Sequence, residues 1–412
     1  MAVFTGDIGA FYAPRRQCVL CGAGVDDAIS IADDAQLELI ANQDMTWQIL
    51  FRVTATPAAA SVLLYKDDGT DGYQLYMDNA GLLIFSINIG GFFSPVPSVN
   101  RYDDGEWHMV QCIRDVTNTK VWLYVDGIAD PVGGSAGDNS AAPSAVAVTL
   151  GGDAAAGCTV DTYIGETVFW QDKALSAAEC LAAWNGGVAP WVETDSEITG
   201  LWQMREGAGA TVADLTTNAR NGTLINTAAW DTAGIVETAE AVGNGDGVTT
   251  VFALDYPNVD DVTMYVTAVE VTEFDVTVKG AVTFGTAPAG AAAITADYTR
   301  YLLSQTGGFY KWAITIAADI YDKTDFRSVA GWKEKGAALL GWTGGADRHW
   351  IHPGFAREAG DRFIVKFYET EAGDRRWEGW TIMEGVTDTV EVSTLIEEAV
   401  TFAGTDVLNF ET

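Results

Sequence analysis

The sequence predicts an all-β chain of sandwiches or barrels with one short helix. Three observations carry that expectation. Runs of four to eight residues alternate apolar and polar side chains, as in Thr46–Val53, Tyr73–Met77 and Lys120–Val125. Asp-Gly turn signals separate them, at Asp68-Gly69, Asp71-Gly72, Asp104-Gly105 and Asp126-Gly127. The chain has 412 residues with 44 Gly and 10 Pro, and its 48% apolar content with 14 Trp supplies a large core.

The elements follow in order. Residues 1–20 read as a leading strand, with Ile8, Phe11 and Tyr12 as its apolar positions. From Ala28 to about Val236 the alternating runs follow one another closely. The one helical signal there is Ser176–Trp184, where Ser176 is an N-cap and Glu179, three residues on, completes a capping box. Residues 237–300 form a small β unit: a turn at Asn244–Gly247, then strands at Thr249–Leu254, Asp261–Val266, Phe274–Val278 and Ala293–Tyr298. Residues 301–412 form another. Its expected strands are Tyr310–Ala317, Gly336–Thr343, Arg362–Glu369, Arg376–Glu384, Val390–Leu395 and Glu397–Ala403, with a short helix over Thr324–Lys333.

Charge narrows the function classes. Lys and Arg number 23 against 57 Asp and Glu, a net charge of −34. A nucleic-acid grip needs clustered cations, and so does an anionic membrane surface, so both are excluded as partners of that kind. Residues 1–299 carry −28 and residues 300–412 only −6, a shift that marks a domain boundary. No stretch approaches about 20 consecutive apolar residues, and the N-terminus lacks the pattern of a secretory signal. Five scattered cysteines argue for thiols and a reducing site of synthesis.

Three resemblances organise the chain. Asp26–Ile31, Asp104–Arg114 with Val121–Gly127, Ile164–Glu179, and Gly200–Gly207 through Leu224 are similar to the laminin G-like, concanavalin A-type jelly roll. Gly245–Leu254, Gly280–Gly290 and Ile294–Tyr298 look like a β module of phage virion proteins. Gly308–Trp312, Asp325-Phe326, Gly331–Lys333, Leu340–Gly344, Arg376–Ile382 and Val390–Val392, together with the leading Gly6–Tyr12, resemble the major tail tube protein of long-tailed phages. The implied fold is a concanavalin A-like jelly-roll sandwich plus a tail-tube β-sandwich or barrel with a short helix. The implied domains are 1–20, leading strand of the tube domain; 21–236, laminin G-like; 237–300, small module; and 301–412, tail tube.

The tube resemblance implies a structural virion protein without enzymatic activity, made in a host cytoplasm and residing in the phage tail. Its partners would be copies of itself in stacked hexameric rings and other tail proteins, with no membrane. DNA would pass through the lumen without specific binding, which an acidic wall favours. The sandwich would decorate the outside and touch host-surface glycans. The alternative is a carbohydrate-binding adhesin on a β-rich stalk. A third reading, a glycoside hydrolase, rests on the alternating acids of Glu193–Glu197, whose intervening Thr194 and Ser196 read as a loop.

Site candidates are few. Asp67, Asp68 and Asp71 crowd one turn, and calcium favours such oxygen donors. The laminin G-like resemblance places a calcium ligand at Asp71, with others from the rim near Asp172. Asp26 and Asp27 offer an alternative of the same kind. The competing reading is a solvated Asp-Gly turn. Phe92, Phe93, Tyr102, Trp170 and Trp191 are candidate sugar platforms, set against the core role that strand alternation gives most aromatics. Cys18-x-x-Cys21 is half a zinc site with no second half. His108 reads as structural, and His349 with His352 lack neighbouring carboxylates beyond Asp347.

Overall fold

The computed structural model describes residues 2–6, 8–14, 17–23, 26–131, 135–136, 138–152, 158–186, 198–232, 234–277, 279–301, 303–309, 311–322, 335–349, 362–368, 376–389, 397–405 and 408–411. The chain is nearly all-β, as the alternation predicts, with one short α-helix among the described residues. It divides into two compact units, residues 15–234 and residues 1–14 with 235–412.

The first unit is a jelly-roll sandwich. One sheet of eight strands runs in the order Thr211–Val212, Gly222–Ile225, Ala28–Ile31, Val148–Leu150, Ser61–Asp67, Gly72–Met77, Leu82–Ile89 and Phe92–Arg101. The facing sheet is centred on Trp107–Asp115, Met45–Val53 and Thr162–Gln171, with Gln17–Cys21 and Ala229–Thr232 at one flank. The core draws alternate residues from both: Trp47, Ile49 and Phe51 from one, Ile29, Leu64, Tyr73 and Phe85 from the other. Trp47 lies 4.5 Å from the Phe169 ring and stacks on Trp202 at 5.9 Å. Helix Ala177–Gly186 starts at the expected capping box. Ser176 N donates to Glu179 Oε2 at 2.7 Å, and Glu179 N donates to Ser176 Oγ at 3.3 Å. Through Cys180 it covers a second apolar cluster with Ile113, Val168, Trp170 and Leu201.

The second unit contains a closed ring of strands. Residues 2–14 pair antiparallel with 303–316 along one ladder, from Ala2 opposite Ile316 to Pro14 opposite Leu303. The ring continues through Lys335–His349, Glu397–Gly404, Arg376–Thr389 and Arg362–Tyr368, which returns to Ile8–Pro14. Six strands thus close on themselves, and closure removes most free edges. The flanks left unpaired among the described residues belong to Ala2–Gly6 and Leu303–Phe309. Trp312, Ile314, Phe363, Phe367, Met383 and Phe402 form the core. A Cβ at Gly404 would stand 2.0 Å from the Trp342 ring, so glycine is what lets that indole lie against the backbone. Residues 235–300 add two small sheets around Met264, Val282, Phe284, Ile294 and Tyr298. The helix expected over Thr324–Lys333 and the strand over Val390–Leu395 lie outside the described residues.

Candidate functional site

The pairing register builds the site. Asp67 faces Gly72, which leaves Asp68–Asp71 as a hairpin tip. Gly72 has φ +136°, and a Cβ there would stand 1.9 Å from the Lys66 carbonyl oxygen, so the return strand must begin with glycine. Asp68 Oδ1 accepts from Thr70 N and Asp71 N, both at 2.9 Å. These backbone N–H groups hold its carboxyl below the usual range. In the next hairpin Ile89 faces Phe92, leaving Gly90-Gly91 as the tip. The two tips are stitched together. Gly91 N donates to Thr70 O at 2.8 Å, and Gly90 N to Asp71 Oδ1 at 2.9 Å.

That stitching holds the tip carrying Asp68 and Asp71 against the turn that leads into the strand of Phe92 and Phe93, whose rings lie on alternate faces. Phe92 is 81% exposed and Phe93 50%. Among the described residues, the second oxygens of Asp68 and Asp71 accept no hydrogen bond from the protein. Asp67, by contrast, is buried and used: it accepts from Gly69 N at 2.7 Å and Asn88 Nδ2 at 3.0 Å. An open ring face next to free acceptors suits a ligand with an apolar face and a hydroxyl rim.

The calcium candidates are placed as follows. Asp71 sits at a hairpin tip of the eight-stranded sheet. Asp172 is exposed at the end of Thr162–Gln171 on the facing sheet, with its N–H on Asp44 O at 2.9 Å. Among the described residues no three His, Cys, Asp or Glu side chains cluster to hold a metal ion. Asp27 is buried, and its carboxylate accepts from Gly22 N at 3.1 Å, Thr227 N at 2.7 Å and Thr227 Oγ1. It ties the start of the sandwich to its last turns. Asp26 is exposed, and its carbonyl accepts from Asn226 Nδ2.

With this geometry in place, residues 23–180 match the family model of the concanavalin A-like lectin/glucanase superfamily. The fold also resembles several solved structures. One is a candidate carbohydrate-binding protein from Bacteroides ovatus, at 16% identity and TM-score 0.41 over 53% of this chain and 60% of that one. Another is a heptameric SAP-like pentraxin from Limulus polyphemus, at 10% identity and TM-score 0.35 over 53% and 95%. A third is the CBM40 of a Ruminococcus gnavus IT-sialidase, at 17% identity and TM-score 0.30 over 40% and 97%. No curated protein gives a significant match.

The other candidates divide cleanly. Trp170 and Tyr102 are buried, so neither is a sugar platform. Trp170 belongs to the cluster under the helix, and the Tyr102 hydroxyl donates to Asp130 Oδ2 at 2.7 Å. Cys18 and Cys21 are buried in a strand of the sandwich, where burial pushes the Cys18 thiol up to about 12. A thiol held protonated is neither a ready zinc ligand nor a nucleophile. His108 lies between Asp126 Oδ2 at 2.8 Å and Asp104 Oδ1 at 3.0 Å. Glu193–Glu197, Trp191 and His352 lie outside the described residues, as does the His349 side chain. A cavity of about 560 Å³ in the second unit, lined in part by Asp260, Phe274, Trp342 and Trp380, includes none of the predicted site residues.

Sequence reasoning missed Lys66. It is fully buried, and its ammonium gathers oxygens from two loops. A signal was present: Val62, Leu64 and Lys66 recur at every second position of one strand.

Proposed function

We propose that the sandwich is a carbohydrate-binding module and that its glycan site is the stitched pair of hairpin tips. The carrying observation is Phe92, 81% exposed on a strand whose neighbouring tip presents Asp68 and Asp71. A pyranose would lay its C–H face on the Phe92 ring and direct hydroxyls at the carboxylates. The activity is binding, not bond cleavage. The test is a glycan array with the full chain, followed by titration of any hit with wild type, Phe92→Ala and Asp71→Asn, with and without EDTA. Losing the ring that the sugar covers weakens binding by roughly 10–100-fold. A chain that retains no glycan, or a Phe92→Ala variant that binds as wild type does, would sink the proposal. The EDTA arm reports whether calcium at Asp71, Asp172 or the Asp26–Asp27 pair takes part.

A second reading concerns the other unit: a phage tail tube subunit assembling into stacked rings, with the sandwich outside. It is favoured by the closed barrel whose first strand is separated from the rest by the whole sandwich. The unpaired flanks of Ala2–Gly6 and Leu303–Phe309 would be the joints between copies. In that reading the chain resides in the virion tail beside other tail proteins, and DNA slides past an acidic wall. Negative-stain electron microscopy of concentrated protein decides it. Rings or hollow tubes with outer knobs support assembly, and uniform single particles overturn it.

A further inference from the structure

The ends of three strands in the eight-stranded sheet converge on one ammonium. Ile31 faces Val148, and Thr149 faces Tyr65, so the loops after Ile31 and before Val148 lie at the Asp67 end of Ser61–Asp67. From there Lys66 Nζ meets Asp33 Oδ1 at 2.6 Å, Ser144 O at 2.7 Å, Val146 O at 2.8 Å and Glu38 Oε1 at 3.0 Å. An ammonium has three N–H groups, yet four oxygens surround it. Two of the four carry negative charge, against a single positive one. Glu38 Oε2 also accepts from Ser144 N at 2.6 Å, which braces the ring of oxygens independently of the lysine. The Lys66 side chain is 0% exposed and Glu38 12%, whereas Asp33 is 41% exposed, so the cage opens to solvent on one side.

We propose that these four oxygens form a cation site whose resident cation is the protein's own Lys66 ammonium, and that a hard divalent ion of the calcium class takes the site when that ammonium is removed. Two carboxylates and two carbonyls are calcium donors, and water arriving past Asp33 can complete the six to eight ligands. The native sandwich is thereby locked at this end without a metal.

The experiment uses the full chain, with its thermal midpoint and calorimetric calcium titration as readouts. Wild type keeps one midpoint in EDTA and in millimolar calcium, and this cage takes up no calcium. Lys66→Ala in EDTA loses roughly 10 °C, because two carboxylates are left facing each other uncompensated. Calcium restores a large part of that loss, with affinity on the order of 10⁻⁴–10⁻³ M, and magnesium restores less because it sheds water reluctantly. Adding Glu38→Gln to Lys66→Ala abolishes the calcium response. If Lys66→Ala does not fold in EDTA, refolding in calcium replaces the midpoint: recovery supports the cage, and failure in both media overturns it. A folded Lys66→Ala that neither binds calcium nor is stabilised by it overturns the proposal. So does wild-type calcium binding that Glu38→Gln removes.

Discussion

The two ends of the sandwich both use carboxylates to satisfy loop N–H groups, but differ in what cations add. At the Asp67 end, buried cations gather oxygens as well. Lys66 holds its four, and Arg114 donates to Ile40 O at 2.8 Å, Ser140 O at 2.6 Å and Asp138 O at 2.9 Å. Arg220 reaches Thr199 O at 2.5 Å and Asp34 at 3.2 Å. At the other end, carboxylates gather N–H groups. Asp130 accepts from Val99 N at 2.6 Å and Asn100 N at 3.0 Å, Asp78 from Ala80 N and Leu82 N, and Asp126 from Met109 N. Arg52, donating to Gly105 O at 2.7 Å, is the exception there. Loop backbone must be satisfied at both ends, since buried polar groups left unpaired are costly. Of the sandwich's ten Lys and Arg, three hold the end that bears the exposed Phe92.

The largest expected effect breaks the cationic end. Arg114→Ala removes a side chain from a residue that is 1% exposed and leaves the carbonyls of Ile40, Gln43, Asp138 and Ser140 without their donor, costing about 3–5 kcal/mol. Denaturant midpoints of wild type and variant measure it, and a loss below 1 kcal/mol would mean water replaces the guanidinium freely. Next comes the anionic end. Asp130→Ala leaves the N–H groups of Val99 and Asn100 without their acceptor and costs about 1–3 kcal/mol. It should also change pH dependence. Burial pushes the Asp130 carboxyl up, but its hydrogen bonds to Val99, Tyr102 and Asn100 outweigh burial and hold it below its ordinary value. Its stabilisation is therefore present above the ordinary aspartate range and is lost as pH falls, and the variant lacks that acid-side loss.

The smallest effect has the opposite sign. Burial would lower the His108 pKa, but Asp126 and then Asp104 raise it above the ordinary histidine value. Tyr102 packs edge-on to the ring at 5.0 Å, and Phe51 lies 5.9 Å away. The stabilisation is complete below the unfolded histidine range and fades as pH rises through the folded value. Thermal midpoints of wild type and His108→Gln, followed from mildly acidic to mildly alkaline pH, should converge toward the alkaline side. Parallel curves would remove His108 as the titrating group.

Much of the fold was legible because burial on one sheet face imposes a period of two, as in Trp47, Ile49, Phe51 and Val53. The helix was legible because a capping box is local, needing only Ser176 and Glu179. The site was half legible. Phe92 and Phe93 were among five aromatic candidates, and only register separates them from Trp170 and Tyr102, whose rings point into packed clusters. The acids of Asp67–Asp71 looked alike in sequence. Their roles differ because Asp67 meets Asn88 and Asp71 meets Gly90, both about twenty residues away. The association of the leading strand with residues 301–412 came only from the tail-tube resemblance; the ladder of 2–14 on 303–316 was not legible in any local pattern, since none spans that separation.

That same ladder has a consequence in time. During synthesis the strand at 2–14 emerges before its partner, which follows about 290 residues later, a delay of roughly 15–60 s. In the interval the sandwich can complete itself, because its own last strand pairs with its first, Thr232 opposite Gln17. That pairing draws the two ends of the insertion together and shrinks the loop the barrel must close from about 290 to about 75 residues. The saving in closure entropy is about 1 kcal/mol. A sandwich that folds within that interval acts as a clasp, sparing the strand at 2–14 a search through the whole intervening chain.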